Sequence, residues 1–283
     1  MHTLESVTNL HCMPKSLPAL FLSMLLCVTA LYGQENSLKI YDQNKEGQIN
    51  MFADNPEYFP QTVWIKLKIK GLATKNSAPD FFVIPPNTQK MLLLELIKPE
   101  DRSWQYAYDF TYLMGDASGK HNDEHVYTLP FAIDNEYKVS QGYNGNRTHQ
   151  GKNALDFTMP EGTVVMAARS GLVVRVKENS DQGCGSSRCQ KMGNLVTILH
   201  NDGSFADYLH LQYQGVTVEL GDVVNTGDPI ALSGNTGWST GPHLHFMVQT
   251  TLKDGYASHP TVFKLGQNRN ELLAEGQFYR AIK

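Results

Sequence analysis

Between residues 163 and 248 the apolar runs of this chain are too short to be anything but strands. Residues 163–166, 172–176, 195–199, 205–211 and 244–248 are apolar or alternating runs, separated by glycine and Asn-Asp-Gly turns. Runs of roughly four to eight residues bounded by turn formers read as β-strands, whereas a helix wants ten or more periodic positions. The pattern predicts an all-β region, a compact sheet with an open groove across it.

The last run contains Gly241-Pro242-His243-Leu244-His245-Phe246. Side chains two apart on a strand point to the same face, so both imidazoles project into one place. Upstream, His149-Gln150-Gly151-Lys152-Asn153-Ala154-Leu155-Asp156 supplies a further imidazole and a carboxylate. Two imidazoles and one carboxylate make a three-ligand set. A structural zinc is closed by four protein ligands, while three leave a position for water or substrate, so the count favours catalysis. Zinc suits this set, non-haem iron also uses it, and spacing does not choose between them.

Several segments together resemble the catalytic domain of the lysostaphin and LytM-type zinc metallopeptidases, which cut peptide cross-links of bacterial peptidoglycan. They are His149 with Asp156, Met159-Pro160-Glu161-Gly162-Thr163-Val164-Val165-Met166-Ala167-Ala168, Tyr208-Leu209-His210-Leu211, Ser233-Gly234-Asn235-Thr236-Gly237, and the 241–246 segment, in the family's order across residues 129–248. The resemblance implies one Zn2+ per chain held by His149, Asp156 and His245, with His210 and His243 as catalytic histidines. This chain departs from the commonest family pattern in one respect, because six residues separate His149 from Asp156 where three are usual. The bond cut is a glycine bridge in some members and a D-alanyl link in others, and the sequence does not choose.

The chemistry of these residue types agrees. Bound zinc lowers the pKa of water to about 7 and polarises a carbonyl, which brings amide hydrolysis to neutral pH. The chain has no His-Glu-x-x-His helix to supply a glutamate base, so two free imidazoles beside the metal are the natural substitutes. His210 and His243 are expected to hold the attacking water and stabilise the oxyanion. Tyr208 and His210, two apart in a strand-like run, are expected to share one face. Among the remaining histidines, His200 opens the Asn201-Asp202-Gly203 turn and reads as structural, while His121, His125 and His259 fall in polar stretches and read as solvated.

A chain of 283 residues with 41% hydrophobic content can bury a sizeable core and make two domains. Its net charge of -4 and lack of Lys/Arg clusters argue against a nucleic-acid partner. Residues 17–31 form a near-continuous apolar run after Lys15 and before Tyr32-Gly33-Gln34, which reads as a signal peptide over 1–33 with cleavage near Gly33. Translation from Met13 is an alternative start, and a lipid anchor at Cys27 is disfavoured because Met24-Leu25-Leu26 lacks the usual small residue. An uncleaved anchor is a further alternative, since the run is only slightly short for a bilayer. The expectation is an exported protein of the periplasm, envelope or exterior, without stable membrane insertion after cleavage. Export leaves Cys184 and Cys189 as an even pair, read as a disulfide pinning a loop tip. Two thiolates alone make an incomplete zinc site.

Residues 35–127 carry their own strand pattern and read as a β-sandwich-like accessory domain, ahead of the peptidase-like region over 128–250 and an extension over 251–283. Val63, Ile65, Leu67 and Ile69 alternate with Trp64, Lys66, Lys68 and Lys70, and Trp104, Tyr106, Tyr108, Phe110 and Tyr112 form an aromatic row. Such a row could stack on wall sugars but more often packs a core. In the extension, a short helix is expected near 270–275, limited by Gly276. Two rival functions stand beside the peptidase: a catalytically inactive wall-binding or hydrolase-activating relative, and a lipoyl-like carrier suggested by residues 219–230. The carrier wants a lysine at a hairpin tip, and none is there. The Asn146-Arg147-Thr148 glycosylation pattern reads as accidental, since a glycan would crowd His149.

Overall fold

A computed structural model describes residues 9–11 and 38–283. Apart from Asn9–His11, the segment expected to direct export lies outside the described residues. The chain divides between Met114 and Gly115 into two compact units. Among the described residues no helix is long and apolar enough to cross a membrane.

The first unit pairs two four-stranded sheets. One runs Asn9–His11, Gln105–Met114, Gln61–Lys70, Phe82–Ile84, and the other Lys39–Lys45, Gln48–Asn55, Thr88–Ile97, Ala73–Thr74. The alternation read from the sequence sets the register: Ile65 lies opposite Phe110, Leu67 opposite Tyr108 and Ile69 opposite Tyr106. Tyr106, Tyr108 and Phe110 are buried in one cluster with Ile49, Met51 and Leu96 of the other sheet. The aromatic row is therefore core and not a sugar platform. Asp42 accepts the Tyr106 hydroxyl at 2.7 Å, which satisfies a polar atom that burial would otherwise strand.

The second unit is built on an 11-stranded sheet. Its central order is Asn194–Leu199, Phe205–Val216, His243–Leu252, Ala154–Thr158, Glu136–Gln141, with antiparallel pairing throughout. The five predicted runs appear as Val164–Met166, Gly171–Lys177, Asn194–Leu199, Phe205–Val216 and His243–Leu252. The loop segment after the first unit is drawn into this one, since Val126–Tyr127 pairs with Val262–Lys264 and Tyr127 is fully buried. Cys184 and Cys189 form the expected disulfide, across the start of a short 3-10 helix at Ser187–Met192.

The tail differs from expectation. No helix forms near 270–275; instead Asn270–Leu272 is a strand paired with Val262–Lys264. Phe278–Arg280 then returns to the main sheet beside Glu136–Gln141. Burial of Leu273 and Tyr279 in the core outweighs the weak helical propensity of this stretch.

His200 is structural, as expected. It is buried, its Nδ1–H donates to the Ser170 carbonyl at 2.9 Å, and its Nε2 has no partner. Burial pushes its pKa down to about 4. An unfolded imidazole takes a proton near pH 6.5, so between pH 6.5 and about 4 the unfolded state holds a proton the folded state refuses, and stability falls as pH falls. The slope from this group reaches about 1.4 kcal/mol per pH unit. The urea midpoint of His200→Gln is expected to vary less across that window than that of the parent. Equal slopes would show that His200 does not contribute.

Candidate metal centre

Strand register places most of the site. Asp156 on Ala154–Thr158 lies directly opposite His245 on His243–Leu252, and Thr158 opposite His243. On the other flank Leu209 lies opposite His245. Opposed residues of an antiparallel pair share a face, so the Asp156 carboxylate and both imidazoles of the His-x-His pair stand together. His149 precedes this strand on a loop. The longer spacing to Asp156 is taken up by a turn in which Lys152 N–H donates to the His149 carbonyl at 2.9 Å, with Gly151 at φ 68° supplying a left-handed conformation.

The three expected ligands converge. Asp156 Oδ1 is 3.2 Å from His149 Nε2 and 2.9 Å from His245 Nδ1, and the two nitrogens are 3.2 Å apart. Ligands around a tetrahedral zinc with bonds of about 2.0–2.1 Å stand about 3.3 Å from one another, so this triangle fits a zinc ion after small adjustments. The outer atoms are already committed. His149 Nδ1–H donates to the Gly142 carbonyl at 3.0 Å, and Gln141 Nε2 donates to Asp156 Oδ2 at 2.9 Å. Such partners fix the tautomer and aim the inner lone pairs inward. Burial alone would raise the Asp156 carboxyl, but hydrogen bonds from His149 and His245, with the charges of His245 and His243, hold it well below the usual carboxylate range.

His210 and His243 stand beside this triangle. Their ring centroids are 4.6 Å apart, and His243 Nε2 lies 3.8 Å from Asp156 Oδ1. His210 Nδ1–H donates to the Thr236 carbonyl at 2.7 Å and His243 Nδ1–H to the Gly241 carbonyl at 2.8 Å. Each ring therefore keeps Nε2 as a lone-pair acceptor. Burial, reinforced by the His243 and His245 charges, pushes His210 down to about 3, and burial also lowers His243. Both are neutral at neutral pH, the form that can accept a proton.

Tyr208 and His210 do not share a face, contrary to expectation. Leu195 pairs with Leu209 and Asn194 with Leu211, so His210 is an extra residue in a β-bulge, with a left-handed φ of 65°. A bulge re-aims the side chains that follow it. Tyr208 and Leu211 thus fill the core, while His210 swings out toward His243 and His245. Left-handed backbone in a residue other than glycine is strained and persists where its surroundings enforce it. The Thr236 carbonyl holds the ring in this position, beside Gly237, where a Cβ would come within 2.6 Å of Gly193.

Gln141 and the carbonyls of Gly142, Thr236 and Gly241 were invisible as site components in the sequence. Only Thr236 and Gly241 lie in segments that the family resemblance picks out. A cavity of about 410 Å³ opens beside Thr236, lined by Glu161, Asp181, Gln212, Tyr213 and Asn235, within the size range of ligand pockets. His121, His125 and His259 are not solvated as expected. All three are partly buried, and His121 stacks on His259 with 4.6 Å between centroids while His125 meets the Tyr127 ring edge-on.

Residues 150–260 match the model of peptidase family M23, beginning one position after His149. Over 122 residues the chain is 34% identical to the peptidoglycan DD-endopeptidase ShyA of Vibrio cholerae, covering 41% of this chain and 26% of that protein. Over 120 residues it is 38% identical to lysostaphin of Staphylococcus simulans, covering 40% of this chain and 21% of that protein. It is similar to the solved catalytic domain of the same lysostaphin, at 28% identity and a TM-score of 0.32, covering 44% of this chain and 87% of that domain. The matches thus span about a quarter of the length of these two curated relatives.

Proposed function

With a peptidase family M23 domain over residues 150–260 as the premise, we propose that this chain is an exported zinc metalloendopeptidase that hydrolyses peptide bonds in bacterial peptidoglycan cross-links. The observation that carries the reading is one carboxylate oxygen, Asp156 Oδ1, within 4 Å of His149, His245 and His243, with the unprotonated edge of His210 alongside. His149, Asp156 and His245 would hold the ion. Bound there, zinc would supply Lewis acidity toward the scissile carbonyl and bring the pKa of water near 7.

The chain's own residues do the rest. Nε2 of His210 or His243 accepts the proton of the attacking water, and the Thr236 and Gly241 carbonyls steady the resulting imidazolium through Nδ1–H. The protonated ring then faces the developing oxyanion as a hydrogen-bond donor and returns the proton to the leaving amine. The cleft lined by Gln212, Tyr213 and Asn235 offers amide and hydroxyl groups to an extended peptide beside this point.

The test is digestion of defined cross-linked muropeptides, glycine-bridged and D-alanyl-linked in separate reactions, with zinc-loaded and chelated protein. Mass spectrometry should show cross-linked dimers resolved to monomers in one of the two sets by the loaded protein alone. Intact dimers in both sets, with zinc bound, would assign the chain to the inactive wall-binding class instead.

A further inference from the structure

We propose that His121, Asp123 and His259 form a second divalent-cation site, for zinc or a similar first-row ion, separate from the centre at Asp156. One nitrogen from each ring and one oxygen of Asp123 lie within 4.8 Å of one another, close enough for a single ion to gather them. Two imidazoles and a carboxylate are the donor set for such ions.

The two sites do not share residues or a sheet face. His259 lies opposite Val248 on the neighbouring strand, whereas the ligands of the first centre lie beside His245. Residues an odd number of positions apart on one strand face opposite ways, so the second cluster sits behind the sheet that carries the first.

Its ligands are held in advance. The His121 side chain is almost fully buried and its Nε2 lies 3.0 Å from the Tyr127 hydroxyl, while its Nδ1 lies 2.8 Å from Asp123 Oδ1. The His259 Nε2 lies 2.8 Å from the Thr250 hydroxyl. A hydroxyl thus fixes one edge of each ring, the arrangement that orients metal-ligating histidines. The loop bearing His121 and Asp123 is pinned on both sides of His121. Lys120 N–H donates to the Asp202 carbonyl at 3.2 Å, and Asn122 N–H donates to Asp202 Oδ2 at 3.0 Å. Asp202 is itself tied to Arg169 at 2.8 Å.

Taking up an ion asks for one tautomer exchange. The His121 proton now on Nδ1 moves to Nε2 and is donated to the Tyr127 oxygen, whose own hydroxyl proton rotates away from the ring, freeing Nδ1 for the metal. The Asp123 side chain is 85% exposed, so the remaining coordination positions face water. The ion would tie the 116–125 loop to the strand Gly255–His259 and add a crosslink to the unit.

Equilibrium dialysis of the full chain against Zn2+, read by elemental analysis, tests this. The parent should hold two equivalents, Asp123→Asn and Asp156→Ala one each, and the double variant none. Asp123→Asn alters an exposed carboxylate and should leave muropeptide hydrolysis unchanged, and loss of a direct ligand should weaken that equivalent by at least about 100-fold. Co2+ bound to Asp156→Ala should show a visible d–d spectrum that His259→Gln abolishes, a readout that holds even if the muropeptide test fails. One equivalent in the parent, or a second equivalent indifferent to both Asp123→Asn and His259→Gln, overturns the proposal.

Discussion

Asp156→Ala is expected to weaken zinc binding at the first centre by more than about a hundredfold and to lower turnover of cross-linked muropeptides by more than about a thousandfold. The carboxylate is the hub: Oδ1 lies 3.2 Å from His149 Nε2 and 2.9 Å from His245 Nδ1, and Oδ2 is held by Gln141. Without it two imidazoles remain, one ligand short of a catalytic zinc site. The buried Gln141 amide also loses one of its two acceptors and keeps only the Thr148 hydroxyl, a local destabilisation of about 1 kcal/mol. Asp156→Asn separates the effects, because it keeps shape and an acceptor oxygen while removing the charge; it should fold like the parent and still bind zinc poorly. Metal titration by calorimetry checks this, with circular dichroism to confirm the fold. Parental affinity in both variants would remove Asp156 from the ligand set and the proposed chemistry with it.

Much of this centre was legible because it is written in strand periodicity. The two-residue spacing of His243 and His245 survives intact on one strand, and the alternation at Val63–Ile69 and the aromatic row both appear as strands, side by side in one sheet. What escaped depends on backbone or on distant pairing. A bulge inserts a single residue, so nothing in Tyr208-Leu209-His210 reveals that Tyr208 turns inward and His210 outward. The carbonyls that orient His149, His210 and His243 belong to no particular residue type. His121 and His259 each stand in polar sequence, and only the return of the chain along Gly255–His259 stacks them. The 270–275 stretch misled for a related reason, since its partners lie at Val262–Lys264 and not within itself.

The remaining prediction separates holding the ion from using it. His210→Ala and His243→Ala should each retain the zinc of the first centre, because neither belongs to the triangle of closest approaches, yet each should lower kcat by about 10²–10⁴. The bulge complicates the first variant, since alanine is no more at ease than histidine at φ 65°. Asparagine tolerates left-handed backbone better, so His210→Asn should fold at least as well as the parent and still be slow, which ties the loss to the imidazole and not to strain. The pH profile gives an independent sign. Both rings act as acceptors only while neutral, and burial lowers both, so activity should fall on the acid side at a pH below the ordinary imidazole value of about 6.5. An acid limb above 6.5, or near-parental kcat in either alanine variant with zinc in place, would mean that proton transfer runs through some other group and that these two rings only line the cleft.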